Sequence, residues 1–314
     1  MEVKPIKRRI FLGSLASLSA TALSGLSSAA PLQNQAARNS RIYRPIPSSK
    51  ELLPVIGMGT WITFNVGNNL ALRNKRTEVL QEFFKLDGGM IDCSPMYGSS
   101  AAVLGYGLKQ IKDTSTLFSA SKVWTSWTNT GPNQMEEQRQ HWGLKKFDLM
   151  QIHNLVNWER HLETLQDYKA SGKIRYIGVT TSHGRRHQDL EVMLRKHTID
   201  FVQLTYNILD RDAETKLLPL AQERGVAVIA NRPYQGGELF RRFQSRALPS
   251  WTKEEVGAST WAEFFLKYIV SHPAVTCAIP ATSQLVHIRE NMNAGLGRLP
   301  DESTRTKMVN FIRT

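Results

Sequence analysis

Apolar positions along this chain fall into two alternating rhythms. One is a set of short, nearly continuous apolar runs: "PVIGMGT" (54–60), "MIDC" (90–93), "TLFSASKV" (116–123), "LMQIH" (149–153), "IRYIGVT" (174–180), "DFVQLTY" (200–206), "VAVIAN" (226–231) and "TCAIP" (276–280). Runs of this length and β-branched content read as strands buried on both faces. Between them, "RTEVLQEFFKL", "RHLETLQDYKAS", "ETKLLPLAQERG" and "WAEFFLKYIVSH" repeat their apolar residues at three-to-four spacing, the rhythm of an amphipathic helix. Strands that each lead into a helix predict an α/β fold of the (β/α)8 TIM-barrel type, with an open doubly wound sheet as the alternative. No G-x-G-x-x-G opens a helix after a strand, which weighs against the open sheet. Ile42 to Ile46 and Glu51 to Leu53 flank "PSSK" and predict a short N-terminal β-hairpin. The stretch from Gln235 to Ser259 is too long for an ordinary connection and is expected to fold over the barrel mouth. Residues 37–314 thus read as one barrel domain.

The first 36 residues follow a different logic. Lys4, Lys7, Arg8 and Arg9 precede an uncharged Leu-, Ala- and Ser-rich stretch from Ile10, which reaches small residues around Ala29. That order is an export signal followed by the start of a linker, with a retained anchor as the second reading. Arg8 and Arg9 followed by Ile10, Phe11 and Leu12 resemble the twin-arginine signal, whose machinery exports folded proteins. The expected location is therefore periplasmic or otherwise exported, with the twin-arginine machinery as a partner.

Composition narrows the choice of function. The chain has 314 residues, 41% hydrophobic, with 21 Gly and 13 Pro, a globular balance. Net charge is +13, of which the leader contributes +3, so the body carries +10. A basic surface attracts anions, but no basic block is interleaved with aromatic residues, and no nucleic-acid partner is expected. Cys93 and Cys277 each sit in an apolar run; free buried thiols are the ordinary outcome, with one disulfide open if the compartment oxidises. The chain has no HExxH or His-x-His metal set, no G-x-S-x-G elbow and no pair of strand-end glutamates, so a hydrolase lacks its parts and no metal site is expected. Nothing suggests a heptad seam or an extended edge strand, and a monomer is expected.

In a barrel, catalytic groups gather at the carboxyl ends of the strands. Polar residues there are Asp92 and Tyr97 after the second strand, Lys122 on the third and His153 on the fourth. Each alone has an ordinary structural role. Four proton-handling types at one face of three neighbouring strands suggest a common purpose.

The ordered set "IGMGTW", "IDCSPMYGSSAAVLG", "SASKVW", "LMQIHN", "IRYIGVTTS" and "SHPAVTCAIPATSQLVHIREN" resembles the aldo-keto reductases from about Arg41 to about Gly297. The resemblance implies a (β/α)8 barrel that reduces aldehydes and ketones, small-molecule carbonyl substrates, with NADPH as first choice of cofactor and NADH not excluded. It places that family's Asp, Tyr, Lys and His on Asp92, Tyr97, Lys122 and His153. Tyr97 would protonate the oxygen as hydride arrives at the carbonyl carbon, and Lys122 would ease the ionisation of a phenol whose free pKa is about 10. Asp92 would anchor Lys122, and His153 would donate to the carbonyl oxygen.

The same resemblance implies that Thr180, Thr181 and Gln203 hold the nicotinamide carboxamide. Thr60, Trp61, Asn231, Arg232, Thr282, Ser283, His287, Glu290 and Asn291 complete the cofactor contacts. Asn231 stands where many relatives place a stacking aromatic ring, leaving Arg232 or Tyr234 to substitute. Ala281 and His287 occupy slots that some relatives fill with Lys and Arg, while Arg289 either reaches a phosphate or is a plain exposed helix residue. Trp61, Trp124, Trp127 and Trp158 are expected to line the substrate mouth. A second reading is a nicotinamide-bound sensing protein with little turnover, resembling the beta subunits of voltage-gated potassium channels.

Overall fold

A computed structural model describes residues 40–313, so the leader and its twin-arginine motif lie outside the described residues. Strand β1 (Tyr43–Pro45) pairs antiparallel with β2 (Leu52–Pro54) as the expected hairpin. Eight parallel strands follow: β3 (Met58–Gly59), β4 (Met90–Asp92), β5 (Phe118–Val123), β6 (Phe147–Ile152), β7 (Ile174–Thr180), β8 (Phe201–Thr205), β9 (Ala227–Asn231) and β10 (Val275–Ala278). They pair in chain order, and the ring closes where Gly57 N donates to Ala278 O at 2.8 Å and Gly59 N to Pro280 O at 3.1 Å. The result is a (β/α)8 barrel.

The run expected as one strand over 54–60 is divided. Pro54 ends the hairpin, and only Met58 and Gly59 enter the ladder with β4. The helices are α1 (Leu70–Lys85), α2 (Ser100–Leu108), α3 (Gly131–Trp142), α4 (Trp158–Ala170), α5 (His187–Lys196), α6 (Leu217–Glu223), α7 (Glu238–Phe243), α8 (Trp261–Ser271), α9 (Leu285–Asn293) and α10 (Glu302–Arg313). The long 235–259 stretch holds α7 and two further helical turns, Gln235–Gly237 and Thr252–Val256.

Two shells of apolar side chains hold this frame. The outer one fills the space between strands and helices; the inner one, including Met90, Phe118, Leu149, Tyr176 and Phe201, fills the barrel. Ile46 and Leu53 of the hairpin belong to the inner shell, so the hairpin contributes directly to the barrel's interior packing. Burial of both strand faces is the reason the sequence shows continuous apolar runs rather than alternation. Cys93 and Cys277 are buried free thiols. Glu214 docks the last helix by accepting from the Tyr206 and Tyr268 hydroxyls and from Arg305 Nη2 at 3.0 Å.

Candidate active site

Parallel register brings the polar groups together. Asp92 stands beside Ala120, and Lys122, two residues further along β5, projects on the same face. Lys122 Nζ, fully buried, makes a short ion pair with Asp92 Oδ2 and donates to Cys93 O at 2.9 Å. Asp92 Oδ1 accepts from Gln151 Nε2 and Gln203 Nε2, both at 2.9 Å. Gln151 neighbours Gly178 on the intervening strand, where a Cβ would come within 2.9 Å of Gln151 Cγ. That glycine gives the two amides room to converge on one oxygen. A buried ion pair survives desolvation only when its remaining hydrogen-bonding capacity is used, and here the carboxylate is engaged at both oxygens.

Tyr97 ends the 3-10 turn Pro95–Tyr97, which Ser94 caps by accepting from Met96 N at 3.2 Å. The chain then turns away through Gly98, at φ +59°, where a side chain would strike Asn65 Oδ1 at 2.5 Å. Lys122 Nζ lies 5.2 Å from the Tyr97 ring centre. His153 follows β6 directly; its ring meets that of Tyr97 edge-on at 5.8 Å, and its Nδ1 is 2.7 Å from Ser94 Oγ. The structure thus gathers Asp92, Tyr97, Lys122 and His153 at one spot.

Burial, then the Asp92 carboxylate, then the Cys93 thiol push the Tyr97 phenol well above its ordinary pKa of 10.0. Desolvation disfavours the phenolate and the Asp92 carboxylate disfavours it further, while the Lys122 ammonium, 5.2 Å from the ring, favours it. Tyr97 therefore keeps its proton throughout the physiological range. His153 is pushed down to about 3 by burial and by the positive charge of Lys122, so it is neutral at pH 7.

Turnover that uses His153 is therefore expected to show no His153 ionisation between pH 6 and 8, read as a flat kcat in that range. The folded-state value lies below the usual 6.5, so the unfolded chain binds more protons between about 3 and 6.5. Stability contributed by this residue is then present above pH 6.5 and falls as the pH drops through that window. Urea midpoints of the wild-type and His153→Gln proteins across that range measure the difference.

Tyr97 and His153 face a cavity of about 1280 Å³ at the carboxyl ends of the strands. Thr60 and Trp61 after β3, Thr180 and Thr181 at the end of β7, and Gln203 on β8 line its inner part. Asn231 and Arg232 lie on the same wall; Asn231 Nδ2 donates to Thr181 O at 2.8 Å and its Oδ1 accepts from Thr205 Oγ1 at 2.8 Å. Thr282, Ser283, His287, Glu290 and Asn291 line the part beside α9. Tyr234 lines it too and donates to Asn291 Oδ1. Residues Gly236, Phe240, Arg246 and Ser259 show that the 235–259 stretch borders the cavity. Arg289 is engaged with Glu82 at 2.7 Å, which fits the exposed-helix reading rather than the phosphate one.

The tryptophans separate. Trp61 lines the cavity, and Trp124 lies 6.4 Å from the His153 ring. Trp124, Trp127 and Trp158 do not line it. Trp127 is 72% exposed on the loop after β5, and Trp158, at the start of α4, packs edge-on against His197 at 4.9 Å and on the outer core. Position after a strand was not enough; the first turn of a helix turned Trp158 to its neighbour. Two participants escaped the sequence reading, Ser94 and Gln151. A polar residue within an apolar run, as Gln151 is in "LMQIH", was the available signal for the second.

The Aldo/keto reductase family model matches residues 55–306. A methylglyoxal reductase of Escherichia coli is 25% identical over 244 residues, spanning 76% of this chain and 84% of that protein. An NADH-specific methylglyoxal reductase of the same organism is 25% identical over 234 residues, 62% of this chain and 68% of that one. Among solved structures, an aldo-keto reductase from Klebsiella pneumoniae in complex with NADPH superposes with a TM-score of 0.71 at 21% identity, covering 86% of this chain and 95% of that one.

Proposed function

Because the chain belongs to the aldo/keto reductase family, we propose that it reduces aldehyde or ketone carbonyls with a nicotinamide dinucleotide, Tyr97 being the general acid. The observation that carries this reading is the juxtaposition of Tyr97 and His153 over a buried Lys122–Asp92 pair, on the wall of one large cavity. The cavity also fits a polar cofactor. Thr181 Oγ1 and Asn291 Nδ2 are buried in its wall without partners among the described residues, and such groups call for hydrogen bonds from a ligand.

A bound nicotinamide would supply hydride to the carbonyl carbon. Thr180, Thr181, Gln203 and Asn231 would hold its carboxamide end, and Thr282, Ser283, His287, Glu290 and Asn291 its adenosine end. His153 and Tyr97 present hydrogen-bond donors to the carbonyl oxygen, and Tyr97 surrenders its proton as charge builds there. Lys122 then stabilises the phenolate, a stabilisation needed only after the proton has left. NADPH is our first choice, supported by its presence in the Klebsiella structure; the NADH-specific relative keeps NADH in the comparison. We also propose export by the twin-arginine route, supported by Arg8, Arg9, Ile10, Phe11 and Leu12.

Purification from the native compartment tests the whole reading. The expected protein has lost its leader, shows the absorbance and fluorescence of reduced nicotinamide after loading, and turns over repeatedly with added NADPH and a test aldehyde. Tightly retained cofactor with one slow turnover would replace it with the sensing reading.

A further inference from the structure

Ser94 is fully buried between the two donors of the site. Its hydroxyl has two neighbours: Met96 N donates to Oγ at 3.2 Å, and His153 Nδ1 lies 2.7 Å from the same oxygen. A hydroxyl carries one hydrogen, and its place fixes the imidazole. If Nδ1 were the donor, Oγ would accept twice and the Ser94 hydrogen would be buried with no acceptor among the described residues. Leaving a buried donor unpaired is costly, so the arrangement that satisfies every group has Ser94 donating to Nδ1. In the neutral ring the proton then sits on Nε2, which has no protein partner among the described residues, and His153 lines the cavity.

We propose that Ser94 is a positioning residue that holds His153 as its Nε2–H tautomer and ties that imidazole to the turn carrying Tyr97. The tie is physical: the oxygen that meets Nδ1 also caps Pro95–Tyr97, so one side chain sets the places of both donors. Two neutral donors facing one oxygen suit a carbonyl, which offers two lone pairs and gains charge as it is reduced. The proposal rests on the carbonyl-reductase reading for its purpose, while the tautomer itself does not depend on turnover.

The test is nitrogen NMR of the full protein labelled at histidine, with the His153 signals assigned by their loss in His153→Gln. Wild-type His153 is expected to carry its proton on Nε2 at pH 7. Ser94→Ala should yield a mixture of tautomers and lower kcat about tenfold, roughly the worth of one hydrogen bond, with the nicotinamide Kd unchanged. Ser94→Thr keeps the hydroxyl and should restore both; Ser94→Cys, closer in volume and a weaker donor, should fall between wild type and Ser94→Ala if the threonine variant fails to fold. A proton on Nδ1 in the wild type, or an unchanged tautomer and kcat in Ser94→Ala, overturns the proposal. A wild type with the Nε2 proton but no turnover would overturn the carbonyl-reductase reading and leave the role of Ser94 in setting the tautomer standing.

Discussion

Replacing Tyr97 with Phe is expected to lower the kcat of aldehyde reduction by roughly 10²–10⁴-fold, the range for loss of a positioned general acid. The change removes one oxygen and keeps the ring, whose edge-on contact with His153 and position beside Lys122 are both made by the aromatic body. Nicotinamide affinity should therefore hold, because none of the proposed carboxamide or adenosine contacts involves the phenol. His153 remains as a donor to the carbonyl oxygen but is held neutral by burial and by Lys122, so it is a poor replacement source of a full proton. Paired measurements separate the effects: cofactor fluorescence gives affinity, and steady-state assays give kcat. Unchanged kcat in the Phe variant would remove Tyr97 from the chemistry.

The sequence carried the frame of this site further than its electrostatics. Residues 174–180 were legible as a strand to their exact limits, since both faces of β7 are buried and its apolar run is bounded by polar turns. Residues 54–60 were not, because apolar content says nothing about where a hairpin hands over to a barrel seam. Spacing placed Asp92, Lys122 and Tyr97 within reach of one another, as strand ends on one barrel face must be. It did not give the raised pKa of Tyr97, which depends on burial and on the nearby Asp92 carboxylate. Those quantities exist only after folding. Ser94 was hidden for a related reason: a serine before a turn is commonly a cap, and here it is one, so its second contact leaves no trace in the sequence.

Lys122→Met should be the most destabilising change at the site, costing about 3–5 kcal/mol, because it strands the almost fully buried Asp92 carboxylate without its cation. Gln151 and Gln203 would still donate to Asp92 Oδ1, but neutral amides cannot replace an adjacent full charge. Activity should fall as well, since the phenolate left by proton transfer loses its stabilising ammonium. Adding Asp92→Asn distinguishes the two losses. The double variant buries neither charge, and its urea midpoint should return most of the way to wild type, as replacing a buried pair by neutral groups is often nearly without cost. Its kcat should stay as low as that of Lys122→Met. Recovery of stability without activity would mean that the pair serves the chemistry more than the fold, with Asp92 present to make a buried ammonium tolerable beneath Tyr97. A double variant that loses as much stability as the two single variants together would show that the pair's worth lies in packing and hydrogen bonds instead, and the strong negative coupling expected between the two substitutions would vanish.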